Sequence, residues 1–228
     1  MVKFELMFMA PCTMPNGLQG TKEGLWMVDQ LTDDVFLVDA KGKTLRHLKT
    51  ESENGSGIAF GDGALWISNN SIEKPRREPR PTDRGGKWII KVDPKTGKTL
   101  EAHNCEKLGG VEGGIHGVEW ANGMLWVGRP GAKLIQQINP KDFSCVGQIV
   151  SPLPLNHGLA WENGSLWCAY RKDCVIIRHD PKTSRELERI EVPKDGPEPH
   201  GLTLWNGDLI FCDATSPKKG QVVRIIRK

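Results

Sequence analysis

Three stretches of the chain are copies of one another: HGVEWANGMLWV at residues 116–127, HGLAWENGSLWC at 157–168 and HGLTLWNGDLIF at 200–211. Each opens on His-Gly, runs through apolar residues into Asn-Gly, and resumes with an apolar run. Asn-Gly supplies the positive-φ residues of a two-residue hairpin turn, so each copy reads as two antiparallel strands, A and B. Working outward, fainter copies begin at Ser56 (SGIAFGDGALWI) and Asn16 (NGLQGTKEGLWM). The five starts are 40, 60, 41 and 43 residues apart, spacing typical of four-stranded propeller blades.

A third strand follows each pair (VFLVD, KWIIKVD, LIQQIN, VIIRHD, QVVRIIRK). In four of the five repeats a turn such as Asp93-Pro94-Lys95-Thr96-Gly97 then leads to a fourth (LRHLKT, LEAHNC, CVGQIV, ELERIEV). The last repeat runs out of chain after its third strand, while Phe4 to Met9 is strand-like and unassigned. Pairing that segment into the last blade closes the ring and hides both edges. The expectation is an all-β, five-bladed propeller in one domain over residues 1–228. Its blades fall at about 16–55, 56–114, 115–155, 156–199 and 200–228, the last completed by residues 3–10. Trp26, Trp66, Trp126 and Trp167, with Ile210 in the fifth place, are expected to pack between blades.

Composition agrees: 26 Gly, 15 Pro and 8 Trp suit many tight turns and large packing units rather than long helices. A net charge of +3 is too nearly balanced for a nucleic-acid partner, and no apolar stretch approaches membrane-spanning length. Six cysteines without a C-x-x-C pair read as small buried hydrophobes in a reducing, cytoplasmic compartment.

In a propeller the loops that lead into strand A and out of strand B emerge at the same channel mouth. The strand-A starts are Asn16, Ser56, His116, His157 and His200; the strand-B ends are Asp29, Asn69, Arg129, Tyr170 and Asp213. These residues, with Arg171, are the expected substrate-binding rim. His116, His157 and His200 are the candidate catalytic groups, since a neutral imidazole serves as general base, and equally the candidate ligands of a divalent metal. Glu198 is the favoured carboxylate partner, ahead of Glu53, Glu112 and Glu119. The long second step holds a basic insertion, SNNSIEKPRREPRPTDRGGK, whose Lys74, Arg76, Arg77, Arg80 and Arg84 are expected to sit over the mouth and change affinity for an anion more than stability. No phosphate-cradling glycine loop, G-x-S-x-G elbow or H-E-x-x-H motif is present, so no nucleotide cofactor is expected.

The H-G-[LIV] start, short turn and L-W, repeated around a ring, resemble the virginiamycin B (streptogramin) lyase type of propeller, and more loosely the gluconolactonase and NHL types. The lyase resemblance implies histidines and glutamates at the mouth, with a divalent cation, opening a ring by proton abstraction and elimination. His116, His157 and His200 match the histidine that begins such repeats; that family has more blades than this chain builds. The five-bladed count is instead similar to the plant and bacterial glutaminyl cyclases. The gluconolactonase metal set of Glu, Asn and Asp is matched only in part, by Asn16, Asn69 and Asp213. The function expected is a lyase or ring-opening hydrolase acting on a small anionic or lactone-like molecule. The alternative is a non-catalytic propeller that binds a ligand or protein.

Overall fold

The computed structural model describes residues 2–215 and 220–227; the chain ends and the segment 216–219 of the expected last blade lie outside them. The chain is a five-bladed β-propeller, built from five four-stranded antiparallel sheets. Strand β1 (Lys3–Met9) comes first in the chain and belongs to the last blade. The first blade is β2 (Pro15–Gly20), β3 (Leu25–Asp29), β4 (Asp34–Val38) and β5 (Thr44–Lys49). The second is β6 (Gly55–Gly61), β7 (Ala64–Asn70), β8 (Lys87–Val92) and β9 (Thr99–Asn104). The third is β10 (Val118–Ala121), β11 (Met124–Arg129), β12 (Leu134–Ile138) and β13 (Cys145–Val150). The fourth is β14 (Asn156–Glu162), β15 (Ser165–Tyr170), β16 (Val175–His179) and β17 (Glu186–Glu191). The fifth holds β18 (Leu202–Trp205), β19 (Asp208–Cys212) and β20 (Gln221–Ile226), with β1 as its outer strand.

The repeat turns form as read. Trp120 pairs with Leu125 and Ala121 with Met124, leaving Asn122 (φ 52°) and Gly123 (φ 75°) as the two-residue loop. The left-handed backbone at both positions is what Asn-Gly tolerates, as does Asp62-Gly63 in the second blade.

The core is divided among the blade interfaces. Trp26, Val28 and Leu37 of the first blade pack on Ile58, Ile67 and Ile90 of the second. Trp66 lies against Val118 and Leu125 of the third, Trp126 against Leu159 and Leu166 of the fourth, and Trp167 against Leu202 and Phe211 of the fifth. Ile210 packs with Leu18 and Leu25, completing the circle. All six cysteines are free, four of them buried.

Ring closure rests on β1, which pairs antiparallel with β20 from Lys3↔Ile226 to Met9↔Gln221. Phe8 is buried beside Leu25 and Met27, and Phe4 meets Phe211 edge-on at 6.3 Å. Deleting residues 2–10 exposes the whole edge of β20 and removes both aromatics. The truncated chain is expected to aggregate in size-exclusion chromatography with light scattering, whereas a monomer of normal Tm would refute the closure.

Candidate functional site at the channel mouth

The glycine after each strand-A start determines what the mouth can be. Gly17, Gly57, Gly117, Gly158 and Gly201 each press against the next blade's inner strand. A Cβ on Gly17 would lie 2.8 Å from Gly57 Cα, and one on Gly201 2.9 Å from Asn16 O. On Gly117 it would overlap the His157 carbonyl oxygen, and on Gly158 that of His200. Gly158 N instead donates to His200 O at 2.7 Å. Five inner strands in backbone contact leave an axial space of about 10 Å³, the lower limit for one water. The channel is therefore closed just beneath the strand-A starts, and the mouth is a site on one face.

On that floor the three histidines meet. The His116 and His157 rings lie 3.8 Å apart, centroid to centroid, and His157 meets His200 edge-on at 5.2 Å. His157 and His200 are buried; His116 keeps some accessible surface, although its ring is densely surrounded. Burial is the main force that lowers all three basicities. It takes His116 to about 3 and His200 to about 4, and His157 is well below its ordinary range. The Arg171 cation pushes each of them further down, and the other imidazoles add to this for His116 and His157. Asp213 and the Glu198 main chain oppose the shift at His200. At neutral pH the cluster is uncharged.

Nδ1 of each of the three imidazoles, and Oδ1 of the neighbouring Asn16, are buried without a hydrogen-bond partner. Such atoms cost about 1–3 kcal/mol each unless water or a ligand satisfies them. The fifth strand-A start differs, because Ser56 Oγ accepts from Asn70 Nδ2 at 3.0 Å and shares a bond with Ser68 Oγ at 3.2 Å. Asn70 also accepts from Ile115 N at 3.0 Å, which ties the second blade to the residue before His116. Asn70 was not singled out in the sequence; its position one residue beyond Asn69 was the only pointer.

Arg171 stands at the same mouth, its Nε donating to Glu198 Oε2 at 2.8 Å with both side chains about one-third exposed. The Glu198 carboxylate is thus turned toward Arg171, while its main chain favours a charged His200. Of the other carboxylates, Glu53 accepts from Gly85 N at 3.0 Å and Glu112 is a surface group 3.8 Å from Lys107. Glu119 lies roughly 10 Å below the ring, three strand residues down from His116.

The strand-B ends are a correction to the expected rim. They clamp the loops that lead into strand A. Asp29 Oδ1 accepts from Met14 N at 2.7 Å, Asn69 Oδ1 from Glu53 N at 2.9 Å, and Asp213 Oδ2 from Glu198 N at 3.1 Å. Arg129, fully buried, donates to the Leu108, Val111 and Gly113 carbonyls. Tyr170, also fully buried, is hydrogen-bonded to Ser151 and to His179, each at 2.9 Å. Their polar atoms are spent mainly on the loops that lead into strand A, and Arg171 is, among the described residues, the cation whose charge bears on all three histidines.

The insertion lies on the mouth face, as expected, but seated on the rim of the first blade. Arg77 donates to Asp33 at 2.7 Å, Asp83 at 2.6 Å and Ser52 O at 3.0 Å. Arg80 donates to the Thr32 and Thr50 carbonyls, and Arg84 pairs with Glu51 at 2.9 Å. These arginines hold the loop down, which corrects the reading of them as an anion funnel. Asp33 is 1% exposed, and burial raises its pKa against the pull of Gly55 N, Asn54 N and Arg77. Arg77→Ala leaves it buried and unpaired, so a loss of about 2 kcal/mol is expected in urea titrations. Arg76, with one long 3.4 Å contact to Gln30, is the control that should cost almost nothing.

The metal reading meets a limit in the geometry. The imidazoles face one another as tilted and edge-on rings, and among the described residues no group of three or more His, Cys, Asp or Glu side chains is disposed to hold a metal ion. The three histidines converge without forming a ligand set.

No family model matches the sequence, and no curated protein matches it. Solved structures do. A glutaminyl cyclase from Myxococcus xanthus superposes with a TM-score of 0.73 at 11% identity, covering 98% of this chain and 95% of that one. A luciferin-regenerating enzyme gives 0.57 at 14%, covering 100% and 96%. A streptogramin B lyase gives 0.54 at 16%, covering 99% and 97%. The likeness is one of fold. It supports the resemblance to propeller lyases at that level, and it also reaches the cyclase suggested by the blade count. Among the described residues no helix is long and apolar enough to cross a membrane.

Proposed function

We propose that the chain is an acid–base enzyme that opens or closes a ring, or eliminates across one, in a small anionic or lactone-like molecule bound at the histidine mouth. The observation that carries this reading is the cluster itself: three touching, uncharged imidazoles whose buried Nδ1 atoms lack partners, beside the Arg171 cation. Structural neighbours named as a cyclase, a lyase and a regenerating enzyme fit an enzymatic propeller.

The electrostatics suggest how the site works. The cluster is a weak base because it is buried and faces Arg171. An anionic substrate that pairs with Arg171 neutralises the opposing charge and supplies a favourable partner for an imidazolium. Substrate binding and gain of basicity are then linked. His200, the one aided by Asp213, takes the substrate proton. No step runs through a metal, because the residues present do not form its ligand set.

Screening a glutaminyl peptide, a streptogramin B and a panel of lactones supplies a substrate. His200→Ala should then lower kcat roughly a hundredfold, with chelator-treated wild type unchanged. The second reading, a binding propeller, is favoured by the near-complete burial of His157 and His200, at 6% and 4% exposure. It wins if the three His→Ala variants alter only stability or ligand affinity.

A further inference from the structure

The opposite face carries a second site. The turns Asp62-Gly63, Asn122-Gly123 and Pro140-Lys141 emerge there, away from the strand-A starts, and enclose a groove of about 440 Å³ between the second and third blades. That volume is in the range of small-molecule sites.

Its platform is Trp120, stacked on Trp66 at 5.8 Å with planes 17° apart. Trp66 is 1% exposed, enclosed by Trp120, Phe143 and His103, with the Lys91 ammonium 5.1 Å from its ring. Gly61 leaves room for the Trp120 ring, since a Cβ there would overlap it. The indole is thus held in place before any ligand arrives, which lowers the ordering cost of binding.

Around it stand two cations, Lys91 and Lys141, and two anions, Asp62 and Glu101. Lys91 bridges Asp62 at 3.0 Å and Glu101 at 3.2 Å. A balanced set of charged donors and acceptors selects neither anion nor cation. Beside an aromatic face it suits a neutral ligand with one apolar side and many hydroxyls. We infer that this groove binds a saccharide, a pyranose ring lying against Trp120 with its hydroxyls on the Lys91, Asp62, Glu101 and Lys141 side chains.

The indole stack recurs between the third and fourth blades, where Trp161 lies on Trp126 at 5.8 Å, but there Gln137 pairs with the inner Trp in place of Lys91. Between the first two blades the corresponding groove, about 320 Å³, has Phe60 in place of Trp120. Between the last two, Arg178 and Arg227 lie over Trp167.

The probes are chitotriose, maltotriose and xylotriose, titrated by tryptophan fluorescence and calorimetry, with tetramethylammonium and indole-3-acetate as a cationic and an anionic aromatic rival. At least one trisaccharide should bind with a Kd of about 1 mM or tighter. Trp120→Ala should weaken it tenfold or more, and Phe60→Ala should leave it unchanged. Asp62→Asn, which keeps the left-handed turn residue, and Lys141→Ala are surface changes that spare the fold, and each should weaken binding severalfold with Tm unaltered. Absence of saccharide binding at about 10 mM, binding of the rivals alone, or indifference to both surface variants overturns the assignment.

Discussion

Gly117→Ala is expected to destabilise the protein by at least about 4 kcal/mol, enough to leave little folded material. The added methyl would overlap the His157 carbonyl oxygen and lie 3.2 Å from Leu159 Cγ. The first obstacle is backbone on an inner strand packed on both sides, so no flexible side chain can move aside. Relief requires the third and fourth blades to part at the axis, and a closed ring passes that displacement to every other interface. Gly123→Ala supplies the contrast. It carries φ 75° but meets nothing within 4 Å, so only the local backbone cost of about 1 kcal/mol is expected. Chemical denaturation of both variants is the measurement. If Gly117→Ala is no worse than Gly123→Ala, the inner strands are not in the contact described, and the channel is open.

The same glycine marks where the sequence was readable and where it was not. The repeat His-Gly gave the blades, because hairpin turns and strand alternation are local properties written in adjacent residues. His116, His157 and His200 were brought together by the same logic, since equal positions in consecutive blades must converge on one axis. The glycine beside each of them looked like repeat consensus, and its reason, contact with the next blade's backbone, becomes visible only when the ring closes. Asp29, Asn69, Arg129, Tyr170 and Asp213 lie near the loops of one face, but which way their polar atoms turn depends on loop carbonyls and N–H groups that carry no sequence signature. The insertion failed for a similar reason. A run of arginines reads as a free basic patch until its acids are found, and Asp33 lies 44 positions away from Arg77.

Glu119→Gln is expected to stabilise the protein, by about 3 kcal/mol at pH 7. Glu119 is 5% exposed in the closed inner ring, and burial pushes its pKa up from 4.5 to about 8, against the pull of the Trp120 and Trp161 N–H groups. The unfolded chain ionises near 4.5, whereas the folded chain holds its proton to about 8. Unfolding across that window releases a proton, so stability falls as pH rises from 4.5 to 8 and levels off above it. A glutamine removes the titration and can keep the hydrogen bonds. The first blade already shows how: Gln19, at the equivalent position, accepts from Phe60 N at 3.1 Å and donates to Gly20 O at 3.2 Å. Thr203 fills the same role in the fifth blade by accepting from Gly20 N at 2.8 Å. The site requires an acceptor for the next blade's inner edge, and an amide supplies one without the burial cost that a carboxylate carries. Urea titrations of both proteins at pH 5 and pH 8 test this, because the buried histidines, which weaken the fold as pH drops below their unfolded value, affect wild type and variant alike and cancel in the difference. The gain should be small at pH 5 and near its maximum at pH 8. A variant weaker at both values, or a difference that does not change with pH, would show that Glu119 is held as a carboxylate.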